Sequence, residues 1–406
     1  MKKNKKIKRI GIDARMYGPL GKGLGRYIQE IVDNIIKIDS ENEYVIFLCR
    51  ENFDEFVSDN PRVKKVLADV RWYTLKEQIL MPFYLIKERL DLVHFPHFNV
   101  PVLTFNKFVV TIHDLILTKF PTTRATTLNS FFYRLKNWAY KLIIWLATKR
   151  SEYIITVSEF TKKDIVEKFK IEPEKILVTY EGVANLAKGR DSLFVAKMDD
   201  KKTLLSYNIE EKFLLYVGNA YPHKNLEGLL EAFKDLIKQF PDLNLVLVGK
   251  EDFFYEKTKK KARDLGLWEK EKQNNPVIFP GYVPDEKLEI LYARAFCYVF
   301  PSFYEGFGLP PLEAMAKNCP VISSNQSSMP EVLGDAALYF NPYKKREIIN
   351  IIKKILNNPQ IRLELKEKGR KQARKYNWWE CARETREIYQ KIFNVEKKNK
   401  KNRRKS

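Results

Sequence analysis

Glu305 and Glu313 stand eight positions apart in the string Glu-Gly-Phe-Gly-Leu-Pro-Pro-Leu-Glu, directly after the apolar run Ala295–Phe300. The run predicts a strand that ends near Pro301. Gly306 and Gly308 then free the backbone for close approach to a ligand, and Pro310 or Pro311 suits the first position of a helix. Amides of Gly306, Phe307 and Gly308 at such a helix start would face an anion, a place for a diphosphate. Carboxylates beside a diphosphate are unfavourable unless they bind something else. Sugar hydroxyls are the natural partner, because an ionised carboxylate accepts several hydrogen bonds at once. The chemistry so arranged is that of a nucleotide-sugar pocket; the same string also reads as an ordinary strand, turn and helix whose glutamates face water.

Three further stretches carry candidate residues. The buried run Phe213–Gly218 leads through Asn219, Tyr221, His223 and Lys224 into a helix with Leu226, Leu229, Leu230, Phe233, Leu236 and Ile237 at helical spacing. A lysine near a helix start opposes the helix dipole unless an anion is present, whereas His223 is mostly neutral at pH 7. Near the N-terminus, the strand Ile7–Ile12 ends at Asp13-Ala14-Arg15, and Gly18, Gly21, Gly23 and Gly25 follow before an amphipathic helix. Their spacing fits neither the dinucleotide fingerprint nor the P-loop, so an ordinary flexible loop stays open. His113-Asp114 follows the strand Phe108–Ile112. His94 and His97 have no third ligand at metal spacing and read as strand-end residues at the rim of the first half, with a metal pair the lesser alternative.

Together these strings resemble the retaining glycosyltransferases of family 4, from Ile7 to about Phe393. The resemblance implies a GT-B architecture, two Rossmann-like α/β domains, doubly wound, facing across a cleft. It implies that Glu305 contacts hydroxyls of a donor hexose, that Phe307, Gly308 and Leu309 offer the loop amides, and that Glu313 holds the ribose. Asn219-Ala-Tyr-Pro-His-Lys-Asn resembles the segment whose basic residues neutralise the donor diphosphate; Lys224 matches, and His223 stands where an arginine is common. Asp13-Ala-Arg and Gly23-Leu-Gly-Arg-Tyr resemble a glycine loop near donor phosphate and acceptor, which makes Gly23, Gly25 and Arg26 candidates. His113 would sit under the donor sugar and, with Glu305, supply the catalytic pair. The activity implied is transfer of a hexose, mannose favoured, from a nucleotide diphosphate sugar (GDP-mannose favoured, a UDP-sugar possible) to a glycan or lipid-linked acceptor in polysaccharide or glycolipid synthesis. No cofactor or metal is implied, since Lys224 and helix-end amides offset the phosphate charge. Another GT-B enzyme, a glucan synthase or a sugar-nucleotide epimerase, is the alternative.

The elements that would position these groups alternate as strand and helix from end to end, the pattern of parallel α/β sheets. A chain of 406 residues is long enough for two such domains. The expected division is 1–185, the acceptor side, and 186–375, the nucleotide-sugar side, with a seam within the polar stretch Glu181–Lys202. A final helix over 376–395 returns to the first domain by resemblance, and 396–406 is expected as a basic disordered tail. His113, Asn219, Lys224 and Glu305 all follow predicted strands, where ligands of such sheets bind.

The formal net charge of +22 is concentrated: residues 1–10 carry six Lys or Arg, 397–406 carry seven and 119–150 carry another seven, none of the three with an acid. The last segment places Phe131, Leu135, Trp138, Leu142 and Trp145 on one helical face beside Arg134 and Lys141, the composition of a helix resting on anionic lipid. A helix packed into its own domain with a basic outer edge is the other reading. A basic chain raises nucleic-acid binding as a non-enzymatic alternative, yet no recognisable motif for it is present and Glu305 and Glu313 would be left unexplained. No apolar stretch is long enough to span a bilayer, and the basic N-terminus lacks the apolar core of a secretory signal. Cys49, Cys297, Cys319 and Cys381 form no disulfide or zinc pattern. Cytoplasmic residence, peripheral at the inner face of the membrane, is the expectation.

Overall fold

A computed structural model describes residues 7–120, 130–183, 200–209, 212–272 and 274–402. The chain forms two compact units, residues 1–182 with 377–406, and residues 183–376. These limits fall beside the expected division after 185 and 375; of the expected seam, 184–199 lies outside the described residues.

The first unit holds a parallel sheet of β1 (Arg9–Asp13), β2 (Glu43–Leu48), β3 (Val63–Leu67), β4 (Leu92–Phe95), β5 (Phe108–Ile112), β6 (Tyr153–Thr156) and β7 (Ile176–Val178), in the order β3-β2-β1-β4-β5-β6-β7. The interior strands β4 and β5 are buried at every position, which is why they read as apolar runs interrupted only by His94 and Thr111. β1 begins at Arg9 rather than at Ile7, because Ile7 is half exposed and meets no core. The final helix, Trp378–Asn402, packs against Lys22–Ile38 in this unit. It runs past the expected end at 395, since the Lys-rich continuation contains no glycine or proline to stop it. Part of the expected disordered tail is therefore helix, and 403–406 lies outside the described residues, as does 1–6.

The second unit holds β8 (Phe213–Val217), β9 (Asn244–Val248), β10 (Val277–Gly281), β11 (Cys297–Phe300), β12 (Val321–Ser324) and β13 (Ala337–Phe340), all parallel, in the order β10-β9-β8-β11-β12-β13. β11 lies directly beside β8, with Cys297 opposite Leu214 and Tyr298 opposite Leu215. In both units the chain winds outward in one direction from its first strand and then returns to its other side. The crevice beyond the C-terminal ends at that reversal is where doubly wound sheets bind ligands. It lies between β1 and β4 in the first unit and between β8 and β11 in the second.

Candidate active site

In the second unit the two strands at the reversal each deliver a site residue. After β8 the chain makes a single 3-10 turn, Pro222–Lys224, and passes through Asn225 in a left-handed conformation (φ 56°) into the helix Leu226–Leu236. The Asn225 amide donates to the carbonyls of Pro301 and Pro342, which locks this turn onto the loops after β11 and β13. A second tie runs from the Phe303 N–H to the His223 carbonyl, 2.8 Å. The result is that Lys224 Nζ donates to Glu305 Oε1 at 2.6 Å, with both side chains largely buried and the ammonium 5.4 Å from the Phe300 ring centre. Burial, and then the charge of Lys224, push the His223 imidazole down to about 4, so it is neutral at pH 7. Asn219 is exposed, and its side chain serves its own turn by accepting from the Tyr221 N–H.

The glycine loop is shaped by a third segment, the one after β12. Ser327, itself at φ 56°, accepts from the Glu305 N–H at 2.9 Å, and the Ser328 hydroxyl lies 3.1 Å from the Glu305 carbonyl and 3.0 Å from that of Phe307. Gly308 caps the helix Leu309–Ala316 with φ 105°, and a Cβ there would meet the Met329 methyl at 2.4 Å. Only glycine fits. Leu309 therefore opens the helix, and both prolines fall in its first turn, where each removes an N–H. The donor set at this helix start is narrower than its position alone implies. Glu313 is half-buried and lies at the fifth position, just beyond the first turn. The Phe307 ring is buried edge-on to Tyr376, 5.4 Å between centres, so what this residue offers a ligand is its backbone.

The first unit has its own cluster. Gly23, Gly25 and Arg26 lie within the helix Lys22–Ile38 rather than in a loop before it. A Cβ on Gly25 would meet the carbonyls of Gly18 and Met16 at 2.1 and 2.5 Å, whereas one on Gly23 meets nothing within 4 Å. His113 Nδ1 lies 3.1 Å from the Glu181 carboxylate and Nε2 lies 3.0 Å from the Pro96 carbonyl. Two acceptors on one ring favour the doubly protonated imidazolium. Burial opposes that charge, but Glu181 and Pro96 outweigh it and the pKa is raised. His94 is no rim residue: it is fully buried within β4, its ring between the hydroxyls of Thr111 and Tyr389, at 2.8 and 2.6 Å. His97 packs tilted against Phe98, 4.0 Å between ring centres, and edge-on to Tyr73. Among the described residues no three His, Cys, Asp or Glu side chains gather as a metal site.

Sequence reasoning missed the pocket at the reversal between β1 and β4, lined by Asp13, Arg15, Trp72, Pro96, His97 and Asn99 among others. Its floor is a buried charge cluster. Arg15 donates to Asp13 at 2.7 Å and to Glu77 at 2.6 Å, and Glu77 also accepts from Asn99 and the Tyr73 N–H. Asp13-Ala-Arg was a visible signal, whereas Glu77 stands in the first turn of the helix Leu75–Lys87, three residues after its N-cap Thr74, a spacing that marks a helix start and not a site. Ser327 and Ser328 were likewise unmarked except by the polar run after β12.

The model for glycosyl transferases group 1 matches residues 199–372, and that for glycosyltransferase family 4 matches residues 21–184. O-antigen chain mannosyltransferase B of Escherichia coli is 33% identical over 248 residues, which are 59% of this chain and 60% of that relative. O-antigen chain mannosyltransferase RfbU of Salmonella typhimurium is 30% identical over 303 residues, 74% of each chain. The chain thus spans about three fifths of the first relative and three quarters of the second. Among solved structures, sucrose-phosphate synthase from Thermosynechococcus elongatus superposes with a TM-score of 0.72 at 19% identity, covering 96% of this chain and all of that one, and shares the fold. The chain belongs to glycosyltransferase family 4, and it is a glycosyltransferase of the GT-B fold.

Proposed function

We propose that the enzyme transfers a hexose, mannose favoured, from a nucleotide diphosphate sugar to a hydroxyl of a glycan or lipid-linked acceptor with retention of anomeric configuration. The observation that carries this reading is the Lys224–Glu305 pair, a cation and a carboxylate held 2.6 Å apart at the reversal of the second sheet, with Glu313 on the adjoining helix. A donor diphosphate takes Lys224 as its cation and the loop amides of Phe307, Gly308 and Leu309 as hydrogen-bond donors. Glu313 takes the ribose hydroxyls and Glu305 the hexose hydroxyls. The leaving phosphate helps to deprotonate the acceptor on the same face, so the protein contributes positioning and electrostatics. The reaction in this form needs no metal, because Lys224 and the amides offset the charge that develops on the leaving group. The printed names of the two relatives, both O-antigen chain mannosyltransferases, favour mannose as the sugar and a surface polysaccharide as the product class. Acid-free basic stretches in the chain favour an acceptor presented at the inner face of an anionic membrane.

Calorimetric titration with GDP-mannose, other GDP-sugars and UDP-sugars tests the donor, and NMR of the product's anomeric signal tests retention. Binding of GDP-mannose at least about tenfold tighter than the UDP-sugars, with an axial anomeric linkage formed from it, is the expected result. An inverted product, or transfer from no nucleotide sugar, overturns the reading.

A further inference from the structure

The helix Leu75–Lys87 has two apolar faces. One turns inward through Met81, Pro82 and Leu85, with the buried Glu77 at its start, and the other carries Leu75, Ile79, Phe83 and Ile86, each more than half exposed. Positions separated by four, four and three residues make one continuous stripe along a helix. The stripe continues onto the loop between β4 and β5. There Phe105 is 79% exposed and Leu103 is also open, and the Gln78 side chain holds this loop by accepting from the Val102 N–H at 2.9 Å. The same loop is clasped from its other side by Arg150, whose guanidinium donates to the carbonyls of Val102 and Thr104. Arg150 ends the helix Ser130–Arg150, whose Trp138 and Trp145 are exposed. The loop that carries Leu103 and Phe105 is thus held between two helices that each expose apolar side chains.

The rim of the stripe is predominantly positive. Lys76, Lys87, Lys107, Lys141 and Lys149 are exposed along these elements. Glu77 and Glu88 are buried and already engaged by Arg15 and by Arg9 with Lys64, while Glu152, two residues beyond Arg150, is an exposed acid at this edge. Among the described residues of these elements every exposed charge is positive. A second copy of the chain on this face would set lysine against lysine, because an isologous contact places a patch on itself. An anionic lipid surface answers both features at once: headgroup phosphates meet the lysines while aromatic and aliphatic side chains enter the acyl boundary.

We infer that the stripe Leu75–Ile79–Phe83–Ile86, with Leu103 and Phe105, is a membrane-insertion surface of the first unit that docks the enzyme on anionic lipid. The inference rests on the proposed membrane-presented acceptor and goes beyond it by assigning the contact to residues outside the basic stretches.

The test is co-sedimentation of the full chain with vesicles of phosphatidylglycerol and phosphatidylethanolamine, and with vesicles of phosphatidylcholine alone, at low and high salt. Nucleotide-sugar binding is measured on the same samples. Ile79→Glu/Phe83→Glu is expected to bind the anionic vesicles at least about tenfold more weakly, including the part of the binding that resists salt. Phe105→Ser, on the loop and outside any helix, is expected to act in the same direction, and both variants keep wild-type donor affinity because they lie in the other unit. Wild-type vesicle binding by both variants overturns the assignment, as does failure of the wild type to bind anionic vesicles. A concentration-dependent dimer in lipid-free solution that the double substitution abolishes overturns it in favour of self-association. Loss of donor binding by the wild type bears on the proposed reaction alone, since the vesicle measurement reads the surface independently.

Discussion

Lys224 and Glu305 neutralise one another in a largely buried setting, so any ligand that takes the ammonium must compete with a carboxylate 2.6 Å away. Removing one partner of a buried pair leaves the other charge without its counter-ion, a cost of about 3–5 kcal/mol when burial is complete and less here, where both groups keep some solvent. The two substitutions therefore differ in what they do to a donor. Lys224→Ala removes the cation and is expected to weaken nucleoside-diphosphate binding about ten- to a hundredfold, the value of a hydrogen bond to a charged group. Glu305→Gln removes only the competitor: the diphosphate is expected to bind as tightly as to wild type or tighter, while hexose transfer slows because a sugar acceptor site has been neutralised. Calorimetry with the nucleoside diphosphate beside initial rates with the sugar nucleotide separates the two effects. If Glu305→Gln weakens the diphosphate as much as Lys224→Ala does, Glu305 holds the phosphate site together and is not a sugar ligand. His223 adds little to this competition, since its ring is neutral at pH 7.

The elements that were legible in the sequence are those buried on both faces. β8 and β11 are continuous apolar runs, β4 and β5 are apolar but for His94 and Thr111, and Lys224 and Glu305 are found just beyond the first two. The alternation of apolar runs read from the sequence contains no strand at β3, β7 or β13, and all three are sheet edges. Val63–Leu67 has two lysines at its centre and is partly exposed throughout, and Ile176–Val178 is three residues long. An edge strand needs no apolar run, because half its surroundings are solvent and its pairing is decided by the neighbour it meets. The same limit applied to the glycines. Spacing marked Gly23 and Gly25 alike as loop residues, but both lie in the helix Lys22–Ile38, and the difference between them depends on a turn that folds back from Met16 and Gly18. Gly25→Ala is expected to destabilise the first unit, because its methyl would fall 2.1 Å from a backbone carbonyl and the turn must move. Gly23→Ala enters open space and replaces the poorer helix former, so stability is expected to hold or rise by up to about 1 kcal/mol. Thermal unfolding of the two variants side by side decides the point; equal losses would mean that both glycines serve the backbone conformation and neither the packing.

At the scale of the whole chain, residues nearly 300 positions apart close the first unit. Tyr389 of the final helix lies 2.6 Å from His94 Nδ1 in β4, across 295 residues of sequence, and His94 passes the contact through Thr111 in β5 to the Tyr27 hydroxyl. All four side chains are fully buried or nearly so. Arg386, one turn earlier on the final helix, pairs with Asp39 beyond the end of the helix Lys22–Ile38. The apolar side of the final helix supplies area, and this polar line fixes where along the sheet the helix sits. Burial holds the His94 imidazole down at about 3, far below the 6.5 of an exposed histidine. The unfolded chain therefore takes up a proton below pH 6.5 that the folded chain does not. The stability tied to neutral His94 is complete above pH 6.5 and is lost progressively as pH falls toward 3. Tyr389→Phe keeps the ring and its packing but leaves His94 Nδ1 without its partner, an expected loss of about 1–3 kcal/mol. Hydrogen exchange of the β4 and β5 amides should quicken in this variant while β8 and β11, in the other unit, keep wild-type protection. His94→Gln should flatten the acid-side fall in stability of the first unit between pH 6.5 and 5 relative to wild type. Unchanged exchange in β4 and β5 for Tyr389→Phe, together with an unchanged acid slope for His94→Gln, would mean that the final helix is held by apolar contact alone.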